Sequence, residues 1–224
     1  GVLVEDPKFR QNIQGATAAG LKVGVYFFSQ AITTEEAVEE ASLCLQAVSG
    51  YNLAYPIFID SEYSTSRRDG RADGLSQEHR TKIAQAFCQT VQNSGYKAGV
   101  YASKTWFYGQ LNYSALSGYH IWMAHFAQRT DFAYRYDIWQ YSSRGSVNGI
   151  NTAVDMNYRY RSYQNRKILR KNIIEAGFFE PAFSYITPIV AVFIAATSLF
   201  VPNLYNTEPE VKALAAQFII VYAF

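Results

Sequence analysis

The stretch YPIFIDSEY, from Tyr55 to Tyr63, decides how the rest of the chain is read. Its centre is rich in Ile and Phe, residues that suit a pleated, buried strand. Its end carries two carboxylates, Asp60 and Glu62, one residue apart. Acids are poor strand formers and are rarely buried without a partner or a task. The stretch therefore reads as a strand buried in a sheet, with its C-terminal residues facing a cleft.

The flanking segments repeat one pattern. Residues 7–19 predict a helix, with Pro7 in its first turn and Gly20 at its exit. KVGVYFFS (22–29) predicts a strand. Thr33 or Thr34 opens a helix through TTEEAVEEASLCLQAV, with acids in the first turn where the helix dipole favours them. A polar loop, STSRRDGRADG, follows the quoted strand. Ser76 caps a helix over 75–95 that Gly95 ends. KAGVYAS (97–103), YHIWMAHFA (119–127) and YDIWQYSS (136–143) predict further strands, and VDMNYRY (154–160) closes the region. Alternating strands and helices imply a mostly parallel sheet with helices outside, curled towards a β/α barrel. In such barrels chemistry sits at the C-terminal ends of the strands, where Asp60 and Glu62 fall.

Composition narrows the possible partners. The 224 residues carry a net charge of +2, and the basic residues are scattered apart from Arg166, Lys167, Arg170 and Lys171. No nucleic-acid partner is expected. Cys44 and Cys88 read as two small buried side chains, not as a disulfide. His79, His120 and His125 lack ligand spacing, so no metal or other cofactor is expected. The opening GVLVEDPKFRQ has neither a start methionine nor a signal peptide, and it reads as an interior piece of a longer protein.

Residues i and i+2 of a strand share a face and lie roughly 6.7 Å apart. Asp60 and Glu62 can then point into one cleft. Glycosidic-bond cleavage commonly uses two carboxyl groups roughly 5–9.5 Å apart, one protonated and one ionised. Burial and a like-charged neighbour keep the acid partner protonated. A hard cation would also suit such a pair, and a solvated strand end would need no function at all. Aromatic residues favour a sugar groove: Tyr26, Tyr63, Tyr101, Trp106, Trp139 and Tyr141 lie at or just past predicted strand ends, where rings stack on sugar faces. Trp122 reads as barrel packing.

GLKVGVYFFSQA, YPIFIDSEY, GYKAGVYAS, IWMAHFA, DIWQYSSRGSVNGI and VDMNY, in this order, resemble glycoside hydrolase family 25, the lysozymes (muramidases) of bacteria and phages. The resemblance covers about 1–160. It implies an irregular β/α (TIM-like) barrel that hydrolyses the β-1,4 bond between N-acetylmuramic acid and N-acetylglucosamine in peptidoglycan glycan strands, outside the membrane. It further implies Glu62 as general acid and Asp60 as its partner carboxylate. Asp155, Tyr26, Trp139 and Gln140 match positions lining the family's cleft. The family's first strand, with its own Asp, and its second strand have no counterpart, so a barrel incomplete by two strands, unstable or inactive, is expected over 1–163.

Residues 164–224 read differently. NRKILRKNIIEAG (165–177) is basic and amphipathic, and residues 183–204 hold no charge over 22 residues. That length matches a membrane-spanning helix in contact with a lipid bilayer. TEPEVKALAAQFIIVYAF (207–224) predicts the start of a second such helix. The segment resembles part of a multidrug and toxic compound extrusion transporter. Two further readings follow from the tail: a fragment of an efflux antiporter, or a membrane-anchored module that binds glycan without cleaving it.

Overall fold

The computed structural model describes residues 2–160, together with the backbone of 190–193 and 216–223. Strand β1 (Leu3–Glu5) precedes helix α1 (Phe9–Ala18). Then come β2 (Lys22–Phe28), α2 (Thr34–Ala47), β3 (Ile57–Asp60), α3 (Gln77–Asn93) and β4 (Ala98–Ser103). Two short helices, α4 (Lys104–Gly109) and α5 (Tyr113–Leu116), lead into β5 (His120–Ala124), β6 (Ile138–Gly145) and β7 (Val154–Arg159). Strands β8 (Val190–Phe193) and β9 (Ala216–Ala223) come from the tail.

The helices begin where local chemistry starts them. Thr33, Ser76, Ser103 and Asn112 each accept a hydrogen bond from a backbone N–H three residues on, at the starts of α2, α3, α4 and α5. Gly95 takes φ +84° just past α3, a conformation that suits glycine.

The strands form one nine-stranded sheet in the order β1-β9-β2-β3-β4-β5-β6-β7-β8. Neighbours from β9 through β6 run parallel, while β1–β9, β6–β7 and β7–β8 are antiparallel. The sheet is a mixed α/β half-barrel with two different faces. Outward, Val25, Phe27, Ile57, Ile59, Val100, Ala102, Ile121 and Met123 pack with Phe9 and Ile13 of α1, Ala41 and Cys44 of α2, and Phe87 and Cys88 of α3. Both cysteines are free and buried, as the sequence predicts, and desolvation raises both thiol pKa values. Inward, a smaller cluster joins Tyr55, Phe58, Trp122 and Ile138, with Tyr26 and Tyr101 against it. Trp122 is packing, as expected: it is buried, and its indole N–H donates to Asn157 Oδ1 at 2.9 Å.

The tail corrects two expectations. Residues 190–193, inside the expected membrane helix 183–204, form β8. Residues 216–223, inside the expected second helix, form β9. Among the described residues no helix is long and apolar enough to cross a membrane. Val, Ile, Phe and Tyr suit a pleated strand as well as an apolar helix, so an uncharged run alone does not separate the two. Pairing separates them here: β9 lies along β2 with seven residues in register, and β8 lies along β7. The edges that β2 and β7 would otherwise present are thereby paired, which supplies their backbone groups with partners. The basic stretch 165–177 and the remainder of 183–204 lie outside the described residues.

The inner face is tight at Gly99. A Cβ there would sit 2.3 Å from a Phe58 ring carbon and 2.8 Å from the backbone oxygen of His120. We expect Gly99→Ala to destabilise the chain by about 1–3 kcal/mol through overpacking. An unchanged midpoint in urea unfolding would contradict this packing.

Candidate active site

Strand β3 ends at Asp60, two residues short of Glu62. Asp60 alternates with Phe58 and so faces the inner side of the sheet. The ladder to β4 continues for one more residue, with Ser61 N–H donating to Tyr101 O at 2.9 Å. Glu62 is therefore delivered by the loop leaving the strand, not by the strand's pleat. The expectation of one strand carrying both acids is corrected here, since the pleat ends before the second acid.

The acids nevertheless share one electrostatic environment. Burial raises the Asp60 pKa well above the ordinary aspartate value, and the charges of Glu62 and Asp155 raise it further. Its Oδ1 is buried and accepts no hydrogen bond from a described residue, which favours the neutral acid. Glu62 is pushed up to about 7, first by desolvation and then by Asp155. Glu62 is nevertheless exposed, so its carboxyl is crowded by protein and still open to water. Asp155, from β7, is half-buried and raised to about 6 by desolvation. Strands β3 and β7 are not neighbours in the sheet, so it is the curvature of the sheet that brings these groups together.

Tyr101 and Gln140 stand beside the acids. Tyr101 O–H donates to Gln140 Oε1 at 2.9 Å, and its pKa is raised first by burial and then by Glu62, Asp60 and Asp155. Gln140 is 4% exposed. Tyr26 lies edge-on to Trp122 at 5.9 Å, deeper in the same inner face. Tyr63 and Trp106 form a separate pair at the outer side of the loop, with ring centroids 4.9 Å apart. Arg80 lies over both rings, at 5.5 and 4.6 Å.

Trp139 is not brought to the acids. It neighbours Gln140 on β6 and so takes the opposite face. There it packs on Tyr141 and Tyr158 and donates its indole N–H to His125 O at 2.8 Å.

Three buried acids, Asp6, Glu40 and Asp73, had no place in the sequence reading. Glu40 sits on the stripe of α2 that buries Ala37, Ala41 and Cys44, and its Oε1 accepts from Gln30 N–H at 3.1 Å. Desolvation raises it to about 7. An acid at an apolar helical position was a usable signal. Asp73 is 7% exposed and organises the loop after Glu62. Its only trace in the sequence is a loop rich in Ser, Gly and Asp.

Among the described residues no group of three or more His, Cys, Asp or Glu side chains is arranged to hold a metal ion. The inner face carries three carboxyl groups with raised pKa values beside Tyr101 and Gln140.

Residues 1–150 match the family described as Glycosyl hydrolases family 25. The protein YegX of Escherichia coli O157:H7 is 30% identical over 162 residues, which cover 70% of this chain and 55% of that protein. The autolytic lysozyme of Clostridium acetobutylicum is 27% identical over 157 residues, covering 70% of this chain and 45% of the lysozyme. The chain thus spans about half the length of these curated relatives. Among solved structures, the modular autolysin LytC from Streptococcus pneumoniae, in complex with a synthetic peptidoglycan ligand, superposes with a TM-score of 0.62 at 24% identity. That match covers 69% of this chain and 38% of LytC. The bacterial lysozyme from Streptomyces coelicolor gives a TM-score of 0.55 at 21% identity over 75% of this chain and 80% of that one. At such identities the structural likeness speaks for the fold. The comparisons support no transporter resemblance for 165–224 and no bilayer contact through 183–204. From the match over residues 1–150, on a half-barrel whose open end gathers Asp60, Glu62 and Asp155, the chain belongs to glycosyl hydrolase family 25.

Proposed function

We propose that this chain is a muramidase, cleaving the β-1,4 bond between N-acetylmuramic acid and N-acetylglucosamine in the glycan strands of the cell wall. The observation that carries the reading is the electrostatic meeting of three carboxyl groups, Asp60, Glu62 and Asp155, at the open end of the sheet. Family membership and the lysozymes among its relatives support it.

Glu62 is the general acid. Held near 7, it retains a substantial protonated fraction at neutral pH and can give that proton to the departing glycosidic oxygen. Glu62 is also the acid of the three that reaches solvent most openly, where a polymer can approach it. Asp155 titrates lower, at about 6, and supplies the negative charge that stabilises the developing oxocarbenium ion. Asp60, deeper and neutral, is suited to hydrogen-bond the substrate's acetamido group. Tyr101 and Gln140 brace one another and present a polar edge beside the reacting sugar. Tyr63 and Trp106, packed on each other beneath Arg80 with Trp106 buried, brace the loop that carries Glu62.

Glu62→Gln should lower the rate of clearing of a cell-wall suspension by about 10²–10⁴-fold while the circular-dichroism spectrum is unchanged. Wild-type clearing should follow a bell in pH. Its alkaline limb lies near 7, where Glu62 deprotonates, and its acid limb near 6, where Asp155 gains a proton. Clearing by the Gln variant at the wild-type rate would remove Glu62 from the reaction.

The same raised acids set a stability trend. An acid raised on folding binds more protons folded than unfolded between its two pKa values. Its contribution is therefore complete below the unfolded value, near about 4. It is lost as pH climbs through the folded value, about 6 for Asp155 and about 7 for Glu62. Asp60→Asn removes the most deeply buried of these charges. Its melting temperature relative to wild type should rise steadily from pH 4 to pH 8. A difference independent of pH would show that Asp60 titrates alike in both states.

A further inference from the structure

The loop between Glu62 and α3 is closed on itself by one carboxylate. Asp73 Oδ1 accepts from Ser64 N–H at 3.1 Å, while Oδ2 accepts from Ser64 Oγ–H at 2.9 Å and from Gly70 N–H at 3.1 Å. The backbone adds a bond from Asp73 N–H to Gly70 O at 3.0 Å. The approach needs glycine at position 70, since a Cβ there would fall 1.8 Å from Ser64 Oγ and 3.0 Å from Asp73 Oδ2.

The closed loop is anchored at two further points. Arg80 of α3 donates to Asp73 O at 2.6 Å and to Leu75 O at 3.0 Å, and its guanidinium lies over Tyr63 and Trp106. Arg71 forms a two-pronged pair with Glu36 at 2.8 and 2.7 Å, tying the loop to the first turn of α2. Ser64 is two residues from Glu62, so the Asp73 carboxylate fixes the far side of the short segment that carries the acid.

We propose that Asp73 is a positioning residue: by tying Ser64 to Gly70 it holds the segment 61–64 against the end of the sheet and so keeps Glu62 beside Asp60 and Asp155. The inference rests on the muramidase reading of Glu62, but the clamp itself is a property of the loop. The groups facing Glu62 are Asp60 from β3, Asp155 from β7 and Tyr101 from β4, and none belongs to the clamp. Asp73 therefore acts on Glu62 through position and desolvation, not through direct charge. Glu62 is already open to solvent, and opening the clamp frees its carboxyl from the protein atoms that still crowd it, returning it towards the ordinary glutamate value.

The test uses the full chain with ¹³C-labelled glutamate side chains. Glu62 is assigned by comparison with the Glu62→Gln variant, and its carboxyl is titrated by NMR in wild type and in Asp73→Asn. The variant keeps the shape but sets an amide N–H₂ against backbone donors. The expected result is a fall of about one unit in the Glu62 pKa, with the alkaline limb of wall clearing moving down by the same amount. A folded Asp73→Asn with Glu62 titrating as in wild type overturns the proposal, because a residue that merely stabilises the fold would lower the melting temperature and leave that titration alone. Should Asp73→Asn not fold, Ser64→Ala removes one hydrogen bond of the clamp. A smaller fall in the same direction then supports the proposal, and none overturns it. If wild type clears no cell wall, the functional reading fails while the NMR titration still decides the clamp.

Discussion

Strands β2 to β6 are buried on both sides, and the two sides differ in what they tolerate. The outer side meets three amphipathic helices and is lined with Val, Ile, Phe, Ala and Met. The inner side is a narrower space, filled by Phe58, Trp122 and Ile138 and then, towards the strand ends, by polar groups. Because alternate residues of a strand face opposite ways, each strand writes both linings at once. In IFID, Ile57 and Ile59 serve the helix side while Phe58 and Asp60 serve the inside. An acid placed there cannot be solvated as it would be on a surface. It must remain neutral or share its surroundings with other groups, and this need governs the chemistry of the whole open end.

The inside is also where the sheet's curvature counts. Asp60 and Asp155 lie on β3 and β7, with three strands between them in the sheet. A flat sheet would hold them far apart. Bent into a half-barrel, it lets their charges act on one another and on Glu62. Tyr101 and Gln140, on intervening strands, lie along the same arc and are joined by a hydrogen bond. The resulting site needs neither a metal nor a cofactor for the reaction proposed, since a shared proton among carboxyl groups supplies both the acid and the counter-charge.

Glu62 belongs to a different mechanical regime from Asp60. Strand pairing locks Asp60, whereas Glu62 depends on a loop whose conformation is set by a few side chains. Asp73, Arg80 and Arg71 convert that loop from a free connection into a braced one. The edges of the sheet are braced in another way, by β8 and β9 along β7 and β2. Those pairings draw residues of the tail into the sheet of the hydrolase-like region.

Much of this was legible from residue order. The alternation of strands and helices, the caps at Thr33 or Thr34 and at Ser76, the buried cysteines and the packing role of Trp122 follow from local propensity and periodicity, which act over a few residues. The resemblance of the quoted motifs identified the family and named Asp60, Glu62 and Asp155 together. Other features depended on contacts between distant segments. Trp139 turned to the helix side because β6 has only two faces and Gln140 occupies the inner one. Asp73 acquired its partners only when the loop closed. The uncharged tail suited a membrane helix or a strand equally well. Pairing with β2 and β7 decided the matter for 190–193 and 216–223, because backbone hydrogen bonds between strands depend on which edge lies within reach and leave no mark in composition.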